Sequence, residues 1–254
     1  MLKSDHVSAY LARINCDADV SPCLPTLRKL HLAHIFSVPF ENLSIARGEP
    51  IVLTDSALFD KIVTRRRGGF CYELNGLYCN LLRSIGFNTV KIAARVMRPH
   101  GSFGPPGDHM AILVNLEKRW LVDVGFGEEF RAPLEIDTPE TQSVGGAYYR
   151  IEPDSNNDFV LSKFNENGEW IPKYRFSEEP RDYSEFEEMC DWHRVSPDAP
   201  FTHGDFCVRS TSRGHLVLTR NKFIEVDSTY RQEIAVESEE HYLELLANQF
   251  GIKW

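Results

Sequence analysis

Cys71 follows Gly68-Gly69-Phe70 and stands at the head of an apolar helical run that includes Leu74, Leu77 and Tyr78. A thiol at a helix start faces unpaired backbone N–H groups and the positive end of the helix dipole. Arg65, Arg66 and Arg67 lie just upstream. Both features favour the thiolate, the nucleophilic form of cysteine. Cys71 is therefore a candidate for covalent catalysis. Such chemistry needs a base to manage the thiol proton and a third group to orient the base.

Among the nine histidines, His109 has the context for the base. It follows a Gly/Pro-rich loop over residues 98–108 and opens the apolar strand Met110-Ala111-Ile112-Leu113-Val114. A residue at the mouth of a strand beside a long loop sits on a rigid support and faces solvent-borne substrates. Asp123 interrupts the apolar run Trp120-Leu121-Val122-Asp123-Val124. A carboxylate in such a run is costly to bury unless paired. A turn near Leu116 to Lys118 folds the two strands into a hairpin and brings His109 and Asp123 close, with a register that depends on the turn type. If they share a face, Asp123 accepts from one imidazole nitrogen and leaves the other toward Cys71.

The remaining histidines carry less. His31 and His34 are spaced i, i+3 with no further ligands, so packing or surface exposure outweighs metal binding. His100 reads as solvated, and His6, His193, His203, His215 and His241 have no local chemical context. Cys79 lies two helical turns beyond Cys71 on the apolar side and reads as core.

The elements that must position these groups change character along the chain. Ser4 can cap a first helix carrying Val7, Tyr10, Leu11 and Ile14. A second, with Leu27, Leu30 and Ile35, must end before Pro39. Thr54 can cap a third, with Leu58, Ile62 and Val63 apolar. The fourth begins near Cys71 and closes at Gly86. The period then shifts to strands at 90–97, 109–115, 119–125, 148–151, 159–164 and 170–176, separated by turn chemistry such as Asn156-Asn157-Asp158 and Asn165 to Gly168. This pattern predicts a small antiparallel barrel or sheet. Glu178 to Trp192 is acidic and predicted helical. Strands return at 206–211, 215–220 and 223–226, and Ser238 can cap a last helix with Tyr242, Leu245, Leu246 and Phe250.

Composition bounds the remaining possibilities. The chain has 254 residues and a formal charge of −9, which disfavours nucleic acid or an anionic membrane surface as partner. No run approaches the roughly 18 apolar residues of a membrane span, and the N-terminus lacks the apolar core of a signal peptide. Cytoplasm is the default location. The six cysteines read as reduced thiols, and without a Cys-x-x-Cys pair no structural zinc is expected.

Five segments in order complete the picture: Val38-Pro39-Phe40-Glu41-Asn42-Leu43; Arg67-Gly68-Gly69-Phe70-Cys71 with Glu73 and Asn75; Gly107-Asp108-His109-Met110; Val122-Asp123-Val124-Gly125-Phe126-Gly127; and Ser196 to Thr202 followed by Phe206-Cys207 and Thr211. Over essentially its whole length the chain resembles the arylamine N-acetyltransferase family. The resemblance implies a multidomain α+β fold related to papain-like and transglutaminase thiol enzymes, with a Cys-His-Asp core. An N-terminal helical bundle (1–88) would carry the nucleophile, a central antiparallel β-barrel (89–190) the base and acid, and an α/β lid (191–254) would follow. It implies ping-pong transfer of acetyl from acetyl-CoA through acetyl-Cys71 to an arylamine, arylhydrazine or N-arylhydroxylamine, with His109 as base, Asp123 as orienting acid and no metal. Phe40, Phe126 and Phe201 are then candidates for the arylamine cleft. Gly127, Thr211, Ser102 and Gly104 are candidates for the CoA passage, and Arg67 is expected to shape the nucleophile loop rather than contact CoA. Glu128 and Glu129 would place acidic charge near the cofactor entrance. A thiol hydrolase or transglutaminase-type enzyme, an amide synthase on the same scaffold, and a binding module with a vestigial site are the competing readings.

Overall fold

The computed structural model describes residues 1–16, 20–127, 130–154 and 157–253. The N-terminal part holds helices α1 (Ser4–Arg13) and α2 (Leu24–Ser37), a two-residue strand β1 (Phe40–Glu41), short helices α3 (Leu43–Ala46) and α4 (Asp55–Phe59), a π-helical turn over Asp60–Thr64, and α5 (Cys71–Ile85). The Thr54 cap forms, with the hydroxyl accepting from Ala57 N at 3.4 Å. The expected Ser4 cap does not: Lys3 occupies the cap position, and Ser4 is already inside the helix. α5 buries Leu74, Leu77, Tyr78, Leu81 and Leu82 against Tyr10, Leu11, Leu27, Leu30 and Ile62. Gly86 ends it in the left-handed region at φ 106°, where a side chain would be strained.

The middle of the chain forms one eight-stranded antiparallel sheet. Its strands are β2 (Asn88–Val96), β3 (His109–Asn115), β4 (Arg119–Val122), β5 (Leu134–Glu135), β6 (Gln142–Val144), β7 (Ala147–Pro153), β8 (Phe159–Phe164) and β9 (Trp170–Pro180), in the order β5-β4-β3-β2-β9-β8-β7-β6. The two edges meet through one side chain. Gln142 on β6 accepts from Glu135 N at 2.7 Å and donates to Glu135 O at 2.8 Å, so the sheet is nearly closed into a barrel. Ala111 and Leu113 of β3 face the barrel core with Leu121, Ile151 and Leu161, while Met110, Ile112 and Val114 face the helical core. Burial on both faces explains why β3 reads as a continuous apolar run rather than an alternating one.

The helix expected over Glu178 to Trp192 is shorter. β9 runs on to Pro180, where Glu178 pairs with Arg119 and Arg181 N donates to Lys91 O. A 3-10 turn at Tyr183–Phe186 then leads into α6 (Glu187–Val195). A short turn at Pro200–Thr202 precedes β10 (Phe206–Ser210), β11 (Gly214–Thr219), β12 (Lys222–Asp227), β13 (Arg231–Ala235) and α7 (Glu239–Phe250), which Ser238 caps by accepting from His241 N at 3.1 Å. β13 is exposed along its whole length. It has no apolar face, and so no period for the sequence to display. The second sheet has the order β1-β10-β11-β12-β13, and Phe40 pairs with Val208 across it. Through β1 this sheet is tied to the nucleophile loop. Among the described residues no helix is long and apolar enough to cross a membrane, and no cluster of His, Cys, Asp or Glu could hold a metal ion.

Candidate active site

Close backbone packing sets the loop before Cys71. A Cβ on Gly68 would collide with the Pro39 carbonyl oxygen, and one on Gly69 would stand 2.7 Å from a Glu73 carboxylate oxygen. Glu41 N donates to Gly69 O at 2.9 Å. Arg67 is buried and bonds Glu41 Oε1 at 2.9 Å, while Glu41 Oε2 accepts from Leu43 N at 2.7 Å. Burial opposes the charged Glu41, but the Lys61 and Arg67 charges hold its carboxyl below the usual range. Arg65 pairs instead with Asp60 at the surface. The arginine run is therefore a loop clamp and a surface pair, not a shared anion patch. At the helix start, Glu73 accepts from Phe70 N at 3.1 Å and from Lys61 Nζ at 2.7 Å. One orphan N–H of the first turn is thereby satisfied, and Cys71 is fixed at the first helical position.

The hairpin supplies the other two groups. Leu116 N donates to Lys118 O at 3.0 Å, and Ile112 pairs with Val122. Continuing this register by one residue sets Asp123 opposite Ala111, on the same face as His109 and two residues along. His109 Nε2 lies 2.7 Å from Asp123 Oδ2. A carboxylate only accepts, so Nε2 carries the proton and Nδ1 is left to serve the neighbouring Cys71 side chain, whose charge also acts on His109. Asp123 Oδ1 accepts from Asn75 Nδ2 at 2.8 Å and Gly125 N at 2.9 Å, and Oδ2 also accepts from Tyr174 OH at 3.2 Å. Asn75 further donates to Met110 O at 2.6 Å and accepts from Val124 N at 2.9 Å. One side chain of α5 thus locks the helix to both strands of the hairpin.

Cys71, His109 and Asp123 are only 3%, 2% and 1% exposed. Burial works against a charged imidazole at position 109. The Asp123 charge and hydrogen bond, with a smaller contribution from Cys71, outweigh it and push His109 from 6.5 up to about 10. His109 is therefore held as the cation at neutral pH. Because the folded-state value is raised, its stabilisation is fully present below pH 6.5 and is lost as pH rises through about 10. Thermal midpoints are expected to fall across that window, and less so in Asp123→Asn.

Gly125 completes the packing. A Cβ there would stand 2.8 Å from Cys71 Cα and 2.8 Å from Asn75 Nδ2. Backbone on one side and a fully engaged amide on the other cannot yield cheaply. Gly125→Ala is expected to lower kcat/KM by about 10²-fold through misplacement of the thiol, measured as steady-state thiol release.

Cys71 and His109 open onto a cavity of about 480 Å³ with largely aromatic and aliphatic walls, while Asp123 lies behind His109 outside its lining. Phe40, Phe126, Phe201 and Gly127 all line it, joined by Val96, Arg98, Phe206, Val208 and Val217. Phe126 meets the His109 ring edge-on at 5.0 Å, and Phe40 lies 5.9 Å from Phe201. Ser102 and Gly104 line a neighbouring groove that shares Arg98 and Pro200 with the cavity. Thr211 is outside the cavity lining: it closes the β10–β11 turn, its hydroxyl accepting from Gly214 N at 3.0 Å. Glu128 and Glu129 lie outside the described residues. Cys79 is buried in the helical core, within hydrogen-bonding distance of Thr89 Oγ1 at 3.2 Å. His31 and His34 are fully buried, His31 Nε2 donating to Phe130 O and His34 Nδ1 meeting Tyr10 OH, each at 3.1 Å.

Two residues at the site escape a sequence reading. Tyr174 alternates with Phe176 on the inner face of β9, so its burial was legible, but its hydroxyl partner lies across the barrel. His193 lines the cavity from α6 and packs 5.2 Å from Phe201 and 6.0 Å from Tyr72, an arrangement with no local signal around position 193.

A family model described as N-acetyltransferase matches residues 23–254. The arylamine N-acetyltransferase / N-hydroxyarylamine O-acetyltransferase of Salmonella typhimurium is 33% identical over 248 residues, covering 96% of this chain and 88% of that protein. The solved Salmonella typhimurium arylamine N-acetyltransferase superposes with a TM-score of 0.92 at 32% identity, covering 97% of this chain and 91% of that one. The Mycobacterium marinum arylamine N-acetyltransferase in complex with CoA gives a TM-score of 0.88 at 31% identity, covering 97% and 92%.

Proposed function

Since the chain belongs to the arylamine N-acetyltransferase family and is an acyltransferase, we propose that it moves an acetyl group from acetyl-CoA to an arylamine, arylhydrazine or N-arylhydroxylamine by a ping-pong route through acetyl-Cys71. The observation that carries this reading is Cys71 and His109 together on the wall of an aromatic cavity, with His109 bonded to the buried Asp123 behind it.

In the first half-reaction the Cys71 thiolate adds to the thioester carbonyl of acetyl-CoA. The carbonyl becomes an oxyanion beside the start of α5, where the Cys71 backbone N–H is the proposed donor. Collapse breaks the carbon–sulfur bond to CoA, and CoA leaves as a thiol with the His109 proton. In the second, the amine nitrogen adds to acetyl-Cys71, His109 Nδ1 removes its proton, and the Cys71–acyl bond breaks to release the amide. Asp123 holds the tautomer that aims Nδ1 at the sulfur and stabilises the imidazolium. Asn75 and Tyr174 act through Asp123 as positioning residues. The cavity volume falls in the roughly 300–1,000 Å³ range of small-ligand sites, and Phe40, Phe126 and Phe201 offer ring faces and edges to an aryl acceptor.

The division into 1–88, 89–190 and 191–254 belongs to the same reading. Separate apolar clusters centred on α5, on the barrel interior and on α7 support it, with Phe186 and Cys190 packed into the first of them.

The test is incubation with acetyl-CoA followed by intact-mass measurement. A ~42 Da adduct, as acylation of the nucleophile requires, should form and then disappear on addition of an arylamine. Absence of both the adduct and arylamine-dependent CoA release would overturn the reading.

A further inference from the structure

Arg98 brings to the cavity a charge that the acyl-transfer steps do not use. Among the described residues it is the one arginine or lysine of the cavity lining, and it also lines the neighbouring groove. Its partner is Asp108, whose fully buried carboxylate accepts from Arg98 Nη2 at 2.6 Å and from Val96 N at 2.9 Å. The loop backbone holds the residue as well. Arg98 N donates to Ser102 O, and Arg98 O accepts from Gly101 N, each at 2.9 Å. A Cβ on Gly104 would stand 3.0 Å from Nη2, so that nitrogen is packed against the loop. The other two nitrogens are open. Nε and Nη1 have no hydrogen-bond partner among the described residues, and neither is sealed from solvent. The side chain as a whole is 21% exposed. Its charge also acts on His193, another residue of the cavity lining, which sets the guanidinium beside the cavity wall.

An apolar cavity takes its selectivity from the few polar groups on its wall. A guanidinium is always charged, and one already fixed by a carboxylate loses little freedom on binding a second anion. Asp108 offsets part of the Arg98 charge but engages only Nη2. His109, the other cation on the wall, is already held by Asp123. We propose that Arg98 is a specificity-determining residue: its open N–H groups bind a ring carboxylate on the aryl acceptor and favour it over a neutral acceptor of the same shape. The proposal rests on the acyl-transfer reading for its choice of ligand, an aryl amine.

Matched acceptors test it: aminobenzoate against aminobenzamide, in the para and the meta series. Arg98→Gln removes the charge and keeps an amide donor for Asp108, while Arg98→Lys keeps the charge. The kcat/KM ratio of carboxylate to carboxamide should fall about 10- to 100-fold in Arg98→Gln, the scale of a charge-assisted hydrogen bond, and by less in Arg98→Lys. Comparing one ratio between proteins cancels the unequal nucleophilicity of the two amines. Damage to the loop alone would depress both acceptors alike and leave the ratio unchanged. An unchanged ratio in both series overturns the proposal. If it comes with a raised KM for acetyl-CoA, the guanidinium serves the cofactor phosphates instead. Calorimetry without acetyl-CoA follows binding directly. The native protein should bind an aminobenzoate more tightly than the matching aminobenzamide, and Arg98→Gln should lose that preference. Equal affinity of the native protein for the two overturns the proposal without recourse to a variant. If no acetyl-enzyme forms with acetyl-CoA, the acyl-transfer reading falls, while the calorimetry still decides the role of Arg98.

Discussion

Cys71→Ala is expected to take up no acetyl group at position 71 and to lose arylamine-dependent CoA release by at least about 10⁴-fold, because no other group can carry the covalent intermediate. The other five cysteines make the site of acylation the decisive readout. Cys190 is buried near Cys71, but burial and the nearby Glu73 charge push its thiol well up, so it should not substitute. Cys207 and Cys79 are sealed in apolar cores. Cys23 differs: it is half-buried ahead of α2, and hydrogen bonds from Thr26 lower its thiol. Slow acylation there by excess thioester would leave an adduct that an arylamine does not discharge. Peptide mapping of native and Cys71→Ala protein separates the two. A Cys71→Ala protein that keeps a dischargeable adduct would remove Cys71 from the mechanism.

Asp123→Asn is expected to slow acyl-enzyme formation by about 10³–10⁴-fold, the range for an orienting carboxylate lost from a nucleophile–histidine pair. Four donors converge on this carboxylate: His109 Nε2, Asn75 Nδ2, Gly125 N and Tyr174 OH. An amide offers one oxygen and one NH₂, so at least one of those donors must meet another donor. Should the NH₂ face His109, the imidazole shifts its proton to Nδ1, and the nitrogen beside Cys71 can no longer accept. Should the oxygen face His109, the NH₂ meets Asn75 and Gly125, and the lock between α5 and the hairpin weakens. Either outcome also removes the charge that holds His109 cationic. Single-turnover acylation monitored by CoA release gives the rate. Thermal midpoints against pH report the second effect: the fall expected between pH 6.5 and about 10 should flatten. An unaltered acylation rate would show that Asp123 does not orient the base.

Much of this architecture is written locally. The apolar stripe of α5, its glycine cap and the Thr54 and Ser238 caps are consequences of residues within a turn or two of one another, where sterics and hydrogen bonding act without help from the rest of the chain. The hairpin joining β3 to β4 is similar, since a short turn and two apolar runs suffice to bring His109 and Asp123 within reach. Local signals also have limits. The Ser4 cap failed because the helix could start one residue earlier, and β9 outran its apolar pattern because Glu178 found Arg119 on β4, three strands away in the sheet. β13 is exposed along its length and leaves no apolar side-chain period to read.

By itself, the sequence determined the candidates for nucleophile, base and acid, because glycine-bounded chemistry and an ionisable residue in an apolar strand are visible in one dimension. Only the tertiary structure decided what surrounds them. Tyr174 and Asn75 converging on Asp123, the Arg67–Glu41 clamp and His193 on the cavity wall all join residues far apart in the chain. Their partners are set by how helices and sheets pack, which depends on the sum of buried surface and not on any neighbouring residue. The same packing divides the arginine run: Arg67 clamps the loop that carries Cys71, and Arg65 pairs with Asp60 at the surface.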